Sequence, residues 1–120
     1  MAMMSLTEES FNQEVLTSVS PVFVHFRAPW CGICRLIAPI LDSYKATWPT
    51  SLRIFDINAD ENFTLANRYQ LKTLPTLLYI EEGQVIQRIE GFKGHEAFRK
   101  QIDLIAYRYQ LENTFSSPSA

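Results

Sequence analysis

The sequence predicts a single α/β domain with a central mixed sheet of four to five strands and helices on both of its faces. Two short apolar segments, 22–27 and 52–57, flank a long segment with helical periodicity, which is the pattern of a right-handed parallel crossover. Two further apolar segments, 76–80 and 85–89, are separated by Glu81-Glu82-Gly83-Gln84 and predict an antiparallel hairpin. The 120 residues suffice for one such domain and its core.

The predicted helices lie before, between and after these strands. The first is predicted over about 8–18, where a Ser5-x-x-Glu8 pattern is typical of a helix N-terminus. The second begins at Cys31, directly after the first strand, and a short third helix is predicted over about 63–69.

The last helix is amphipathic and is predicted to end the folded domain. Its apolar positions recur at helical spacing between Ala97 and Tyr109. The residues after it are small and polar, so we predict a domain over 1–113 and a flexible tail over 114–120. A loop is predicted at 48–50.

Composition and charge argue against several classes of protein. The chain has 11 basic and 13 acidic residues, and no basic stripe of the kind that binds nucleic acid. No apolar stretch approaches the roughly 20 residues that a membrane span requires. The N-terminus lacks the basic and apolar regions of a secretory signal, so we expect a cytoplasmic protein without nucleic-acid or membrane partners.

The two cysteines, Cys31 and Cys34, carry the chemistry that the sequence predicts. They stand three residues apart at the start of a helix that follows a buried strand, so their sulfurs can reach bonding distance. The positive end of the helix dipole stabilises a thiolate there. Cys31, on the loop side, is the predicted exposed nucleophile, and Cys34, one turn further, is the predicted buried resolving thiol. Two unreactive core cysteines are the alternative.

A metal centre is a further alternative for this cysteine pair. Structural zinc sites use four protein ligands, whereas this chain offers two cysteines and the distant His25 and His95. A cluster shared between two chains would satisfy the metal. We expect no metal and no cofactor other than the redox-active disulfide itself.

The segment Val22–Leu41, with the motif Trp-Cys-Gly-Ile-Cys at 30–34, resembles the active-site segment of the thioredoxin family. The resemblance continues through Leu74-Pro75-Thr76, Gly83 and Gly91, and covers about residues 6–109. It implies a thioredoxin fold and an enzyme of cell redox homeostasis that reduces protein disulfides through Cys31 and Cys34.

The resemblance also implies a substrate-binding surface around the cysteines. Pro75 matches the family's cis-proline, and Leu74 before it matches the residue that offers backbone groups to an extended peptide. The other positions that match the family's docking surface are Trp30, Gly32, Ile33 and Gly91. For Trp30, simple loop packing is the alternative.

The sequence departs from the family at Ile33, where proline is usual between the glycine and the second cysteine. In this family the dipeptide between the cysteines tunes the reduction potential, and about 30 mV corresponds to roughly 1.4 kcal/mol for this two-electron couple. We expect a potential less reducing than that of a typical thioredoxin.

A second departure concerns the buried acid of the family. His25 replaces this aspartate in the strand below the second cysteine, and Asp56 aligns with the family's partner lysine on the next strand. One hypothesis is that His25, oriented by Asp56, accepts the proton of Cys34. The alternative is a neutral, hydrogen-bonded core histidine with Asp56 solvated at a strand end.

Two charged residues stand where the family has other types. Arg27 replaces a common tryptophan, and either stabilises a thiolate, selects acidic partners or is a solvated strand-end charge. Glu90, before Gly91, stands where an apolar residue is common, and either repels acidic substrates or pairs with Arg27. We predict His95 to be a surface residue.

The function predicted from these features is reduction of disulfide-containing protein substrates, with electrons from an upstream reductase whose type stays open. A related oxidase or isomerase is the first alternative. The second is a redox-sensing adaptor, in which oxidation of Cys31 and Cys34 controls the binding of a partner. A monomer is the expectation from the family.

Overall fold

The computed structural model describes residues 4–48 and 52–116. Its strands and helices alternate along the chain as β1 (Met4–Ser5), α1 (an α-helical turn, Glu8–Phe11, continued by a π-helical segment, Asn12–Leu16), β2 (Val22–Arg27), α2 (Gly32–Thr47), β3 (Arg53–Asn58), α3 (Phe63–Arg68), β4 (Thr76–Glu81), β5 (Gln84–Glu90) and α4 (His95–Ser116). A 3₁₀ turn, Ala59–Glu61, connects β3 to α3.

The strands form one five-stranded mixed sheet in the order β1-β3-β2-β4-β5. The pairs β1–β3 and β2–β3 are parallel, and the pairs β2–β4 and β4–β5 are antiparallel. The predicted α/β fold class, its parallel crossover and its hairpin are therefore confirmed. β1 was not among the strand segments predicted above, because two residues leave no periodicity to detect.

α1 begins at Glu8, as predicted, but its N-cap differs from the predicted Ser5-x-x-Glu8 pattern. Thr7 is the N-cap, and its side chain forms a reciprocal capping box with Ser10. Ser5 cannot cap the helix because its backbone belongs to β1 and pairs in register with Asp56. Because Ser5 is paired in the sheet, the capping residue is Thr7, two residues after Ser5.

The last helix is longer than predicted. α4 continues to Ser116, so the first three residues of the predicted 114–120 tail are helical. Residues 117–120 of that tail and residues 49 and 50 of the predicted loop lie outside the described part of the chain. Among the described residues, no helix combines the length and the apolar character that crossing a bilayer requires.

Two separate apolar cores cover the two faces of the sheet, because side chains alternate along each strand. On one face, α2 and α4 pack against a cluster that includes Phe23, Ile37, Leu77, Phe98 and Ile102. On the other, α1 and α3 pack against a cluster that includes Phe11, Val24, Phe26, Leu65 and Leu78. The central strand β2 is buried from both sides, which explains its almost continuous apolar sequence.

The hairpin between β4 and β5 turns at Glu82 and Gly83, which both have positive φ, of 50° and 77°. Two such residues give the turn type that matches the twist of paired strands. A Cβ on Gly83 would lie 3.2 Å from the carbonyl oxygen of Leu16. Glycine is therefore required here by both conformation and space.

We predict that Gly83→Ala lowers the free energy of unfolding by about 1–2 kcal/mol, because an L-residue is strained in this conformation. Urea denaturation of the oxidised protein measures the change. Gly32→Ala is the matched control, since a Cβ there meets nothing within 4 Å and its φ is not positive. Equal stability of the two variants would contradict the prediction.

Candidate active site

Cys31 and Cys34 form a disulfide at the N-terminus of α2, with their Cα atoms 5.2 Å apart. Cys31 is the N-cap residue, and its Sγ accepts a hydrogen bond from the backbone N–H of Cys34 at 3.1 Å. A sulfur in this position lies at the positive end of a 16-residue helix. The same N–H and the helix dipole can stabilise a thiolate on Cys31 after reduction.

The two sulfurs differ less in exposure than the sequence predicts. In the disulfide form Cys31 is 5% exposed and Cys34 is 2% exposed. The prediction of an exposed Cys31 is therefore wrong for this state. The physical reason is packing, because both cysteines form a small buried cluster with Ala28, against which Leu74 packs.

The loop before β4 brings predicted binding residues to the cysteine pair. Leu74 packs against the cluster that contains both cysteines, and the peptide bond from Leu74 to Pro75 is cis. Gly91 follows the end of β5, where Glu90 pairs in register with Thr76. Gly91 has a positive φ of 75°, which glycine adopts without strain.

Exposed apolar side chains surround the buried disulfide. Trp30 is 67% exposed and Ile33 is 42% exposed, on either side of Cys31. Gly32 is exposed, and nothing lies within 4 Å of the place where a Cβ would be. An approaching polypeptide therefore meets an apolar and sterically open surface around Cys31.

A groove of about 250 Å³ adjoins this surface and is lined in part by Trp30, Phe63, Leu71 and Leu74. The indole Nε1 of Trp30 donates a hydrogen bond to Asp60 Oδ2 at 2.8 Å, which holds the ring at the edge of the groove. The contributions of Asp60, Phe63 and Leu71 were not predicted from the sequence. No local pattern could have shown them, because the residues meet only through the packing of α3 beside β3.

His25 lies in the middle of β2 and is fully buried. It shares a face of the sheet with Phe23, which packs in the same core as Ile37 of α2. Cys34 precedes Ile37 by three residues and so lies on the same side of α2. The imidazole therefore faces the layer that carries the resolving cysteine. Among the described residues, neither ring nitrogen of His25 has a hydrogen-bond partner.

Asp56 is opposite His25 in the β2–β3 register, but it does not orient the imidazole by a hydrogen bond. Its Oδ2 accepts from Arg27 Nε at 2.9 Å, and its Oδ1 accepts from the Ser5 hydroxyl. The predicted orientation of His25 by Asp56 is therefore corrected, as is the alternative of a solvated Asp56 beside a hydrogen-bonded histidine. The guanidinium is the stronger partner because it is charged.

The charge on His25 is controlled mainly by its burial. Desolvation lowers the pKa of His25 from 6.5 to about 4, against the opposing effect of the Asp56 carboxylate, while Arg27 lowers it further. The imidazole is consequently neutral at physiological pH.

The remaining predicted charges are in local ion pairs or are exposed. Arg88 pairs with Glu90 at 2.9 Å, so Glu90 does not pair with Arg27 as one interpretation proposed. Arg27 is paired with Asp56 and is not a solvated strand-end charge. His95 is exposed at the start of α4, as predicted. Within the described residues, no group of three or more His, Cys, Asp or Glu side chains could hold a metal ion.

Comparison with known proteins agrees with this geometry. The family model described as thioredoxin matches residues 2–104. Thioredoxin from Bacillus subtilis strain 168 is 38% identical over 103 residues, which cover 86% of this chain and 97% of that protein. Thioredoxin 1 from Synechococcus elongatus is 38% identical over 87 residues, or 72% of this chain and 81% of that protein. Thioredoxin from Porphyra purpurea is 36% identical over 91 residues, or 76% of this chain and 85% of that protein. The chain belongs to the thioredoxin family.

Proposed function

We propose that this chain reduces disulfide bonds in other proteins, using Cys31 as the nucleophile and Cys34 as the resolving thiol. It is a thiol–disulfide oxidoreductase of the thioredoxin family. The observation that carries the proposed roles is the hydrogen bond from the Cys34 N–H to Cys31 Sγ at the N-terminus of α2. That position stabilises a negative charge on Cys31.

In the first step, the Cys31 thiolate attacks one sulfur of the substrate disulfide. A bond forms between Cys31 and that sulfur, while the substrate disulfide breaks and the second sulfur leaves with the electron pair. The leaving thiolate takes a proton from solvent. The product is a mixed disulfide between Cys31 and the substrate.

In the second step, Cys34 must lose its proton before it can attack Cys31. We assign the role of proton acceptor to His25, because a neutral imidazole has one unprotonated nitrogen and faces the α2 layer. The Cys34 thiolate then forms the disulfide with Cys31, and the substrate leaves as a thiolate. Burial disfavours the imidazolium, so His25 releases the proton once the thiolate has reacted.

The substrates are extended segments of disulfide-containing proteins, which would bind over Trp30, Gly32, Ile33, Leu74, Pro75 and Gly91. These residues supply apolar contact area and backbone groups next to Cys31. An upstream reductase would return the disulfide to the dithiol. The chain would act as a monomer and would use no cofactor beyond the cysteine pair. A cytoplasmic location is supported by the cysteine count, since two cysteines do not make a disulfide framework.

The reduction potential of Cys31 and Cys34 in defined redox buffers tests the direction of the reaction. A potential well below the cytosolic glutathione poise supports a reductase. A potential at or above that poise, in line with Ile33 in place of proline, would favour an oxidase, an isomerase or a redox-sensing adaptor instead.

We predict that Cys34→Ser accumulates stable mixed disulfides with many protein substrates, because Cys31 still attacks but nothing resolves the adduct. Non-reducing and reducing electrophoresis of material captured from a cell extract measures them. The Cys31→Ser/Cys34→Ser double variant is the matched control and should capture none. Capture of one partner by both variants, without a covalent bond, would indicate the adaptor function.

A further inference from the structure

A row of polar residues crosses one face of the otherwise apolar sheet. Ser5 of β1 is in register with Asp56 of β3, and Asp56 is in register with His25 of β2. The next residue in this row is Leu77 of β4. Buried polar groups are normally hydrogen-bonded, so the partners within this row decide its chemistry.

Asp56 and His25 differ in whether their polar atoms have hydrogen-bond partners. Both carboxylate oxygens of Asp56 are engaged, one by Ser5 and the other by Arg27, which stands two residues after His25 on the same side of β2. Within the described part of the chain, both nitrogens of His25 lack a partner. Leaving a buried nitrogen unsatisfied destabilises the folded protein. Asp56 opposite His25 could remove part of this cost, but Arg27 holds its carboxylate instead.

We propose that Arg27 is a positioning residue, which engages the carboxylate of Asp56 and thereby leaves the buried imidazole of His25 without a hydrogen-bond partner. The proposal rests on the reductase function above only for the use that the reaction makes of His25. The Arg27–Asp56 ion pair adds to the effect of burial, which is the larger cause of the neutral imidazole.

The charges that act on the imidazole come from two elements. They are the Asp56 carboxylate on β3, which favours the imidazolium, and the Arg27 guanidinium on β2, which opposes it. Of the other elements, β1 contributes the Ser5 hydroxyl, which contacts Asp56; β4 contributes Leu77, in register with His25; and α2 contributes Cys34, which is in a disulfide. None of these three carries a charge. Without Arg27, the carboxylate would face the imidazole with its charge uncompensated.

For the reaction, a neutral His25 is a group that can accept the proton of Cys34. An imidazolium paired with Asp56 at neutral pH could not take a proton from Cys34. A neutral imidazole can, because its lone pair is free. Arg27 therefore acts on the second step through Asp56 and His25, without contact with the reacting sulfurs.

The test is an NMR titration of the histidine ring protons in the oxidised protein. The chain has two histidines, so the exposed His95 is an internal reference. We expect Arg27→Met to move the His25 titration upward by more than about one pH unit, as an opposite charge close by does. The Arg27→Met/Asp56→Asn double variant should return it to the wild-type range or below, because the carboxylate charge is gone.

Arg53→Met is the matched control for the loss of a half-buried ion pair. Arg53 pairs with Glu14 at 3.0 Å on the opposite face of the sheet, and its exposure is similar to that of Arg27. This variant should leave the His25 titration unchanged. An unchanged titration in Arg27→Met, with the amide spectrum of a folded protein, overturns the proposal. If Arg27→Met does not fold, Arg27→Lys takes its place in the same comparison. Lysine keeps the positive charge, so the His25 titration midpoint should shift upward by less.

The release rate of substrate thiol from a preformed mixed disulfide separates this proposal from the reductase function. We expect Arg27→Met to slow release at pH 6 more than at pH 8, because His25 is then partly protonated at the lower pH. If the His25 titration shifts in Arg27→Met while the rate of thiol release stays unchanged at both pH values, the positioning role of Arg27 stands. His25 is then not the proton acceptor. Absence of any disulfide reduction by the wild type would reject the reductase function alone.

Discussion

Cys31→Ser is expected to reduce the rate of protein-disulfide reduction to that of the uncatalysed reaction. A serine hydroxyl stays protonated near neutral pH even at a helix N-terminus, whereas the cysteine thiol there ionises. The measurement is the turnover of a disulfide-bonded protein substrate with dithiothreitol as the electron source.

Cys34→Ser is the matched control for this variant, because it removes the same disulfide and changes the same type of residue. It should retain the first half-reaction, seen as one equivalent of substrate thiol released for each chain. If Cys31→Ser releases that equivalent and Cys34→Ser does not, the roles of nucleophile and resolving thiol must be exchanged. The small difference in burial between the two sulfurs makes this comparison informative.

His25→Leu is expected to stabilise the oxidised protein and to slow its second catalytic step. Leucine removes two buried nitrogens that have no hydrogen-bond partner among the described residues. Each unsatisfied group costs about 1–3 kcal/mol, so the free energy of unfolding at pH 7 should rise by at least about 1–3 kcal/mol. Urea denaturation measures it, with His95→Leu as the control at an exposed position.

The same variant should change the dependence of stability on pH. The pKa of His25 is lowered to about 4 in the folded protein, against 6.5 for the unfolded chain. Between these values the unfolded chain binds more protons, so wild-type stability falls as the pH decreases from 6.5 to 4, by about 3 kcal/mol. His25→Leu should lose this part of the pH dependence. An identical profile in both proteins would show that His25 is not buried and neutral.

The catalytic part of the expectation concerns the resolution step alone. Loss of a general base slows a proton transfer by about 10²-fold or more. Release of substrate thiol from a preformed mixed disulfide should slow accordingly in His25→Leu, while the initial attack by Cys31 keeps its rate. Slowing of both steps would indicate a structural effect on α2 instead of a proton-acceptor role.

Local sequence patterns were enough to predict the fold class and the position of the cysteine pair. The almost continuous apolar sequence of β2 reflects burial on both faces, and the hairpin at Glu82 and Gly83 follows from turn chemistry. The Cys31–Cys34 spacing at a helix start determines that the sulfurs can bond. The predicted match of Pro75 to a cis-proline also agrees with the structure.

The ends of the elements were harder to predict, for a physical reason. β1 has two residues and exists only because β3 offers it an edge. Its formation moved the N-cap of α1 from Ser5 to Thr7. Local signals for a cap occur at both positions, and only the pairing with Asp56 decides between them.

What the sequence determines by itself is the chemistry that is available, namely a dithiol at a helix N-terminus above a buried histidine. What only the tertiary structure decides is which polar groups meet. Asp56 stands in register with His25, yet its carboxylate binds Arg27 and Ser5. The reason is that a carboxylate in a folded sheet selects among all donors within reach, and a charged guanidinium is a stronger donor than a neutral imidazole. That competition depends on distances between strands, which no local sequence pattern contains.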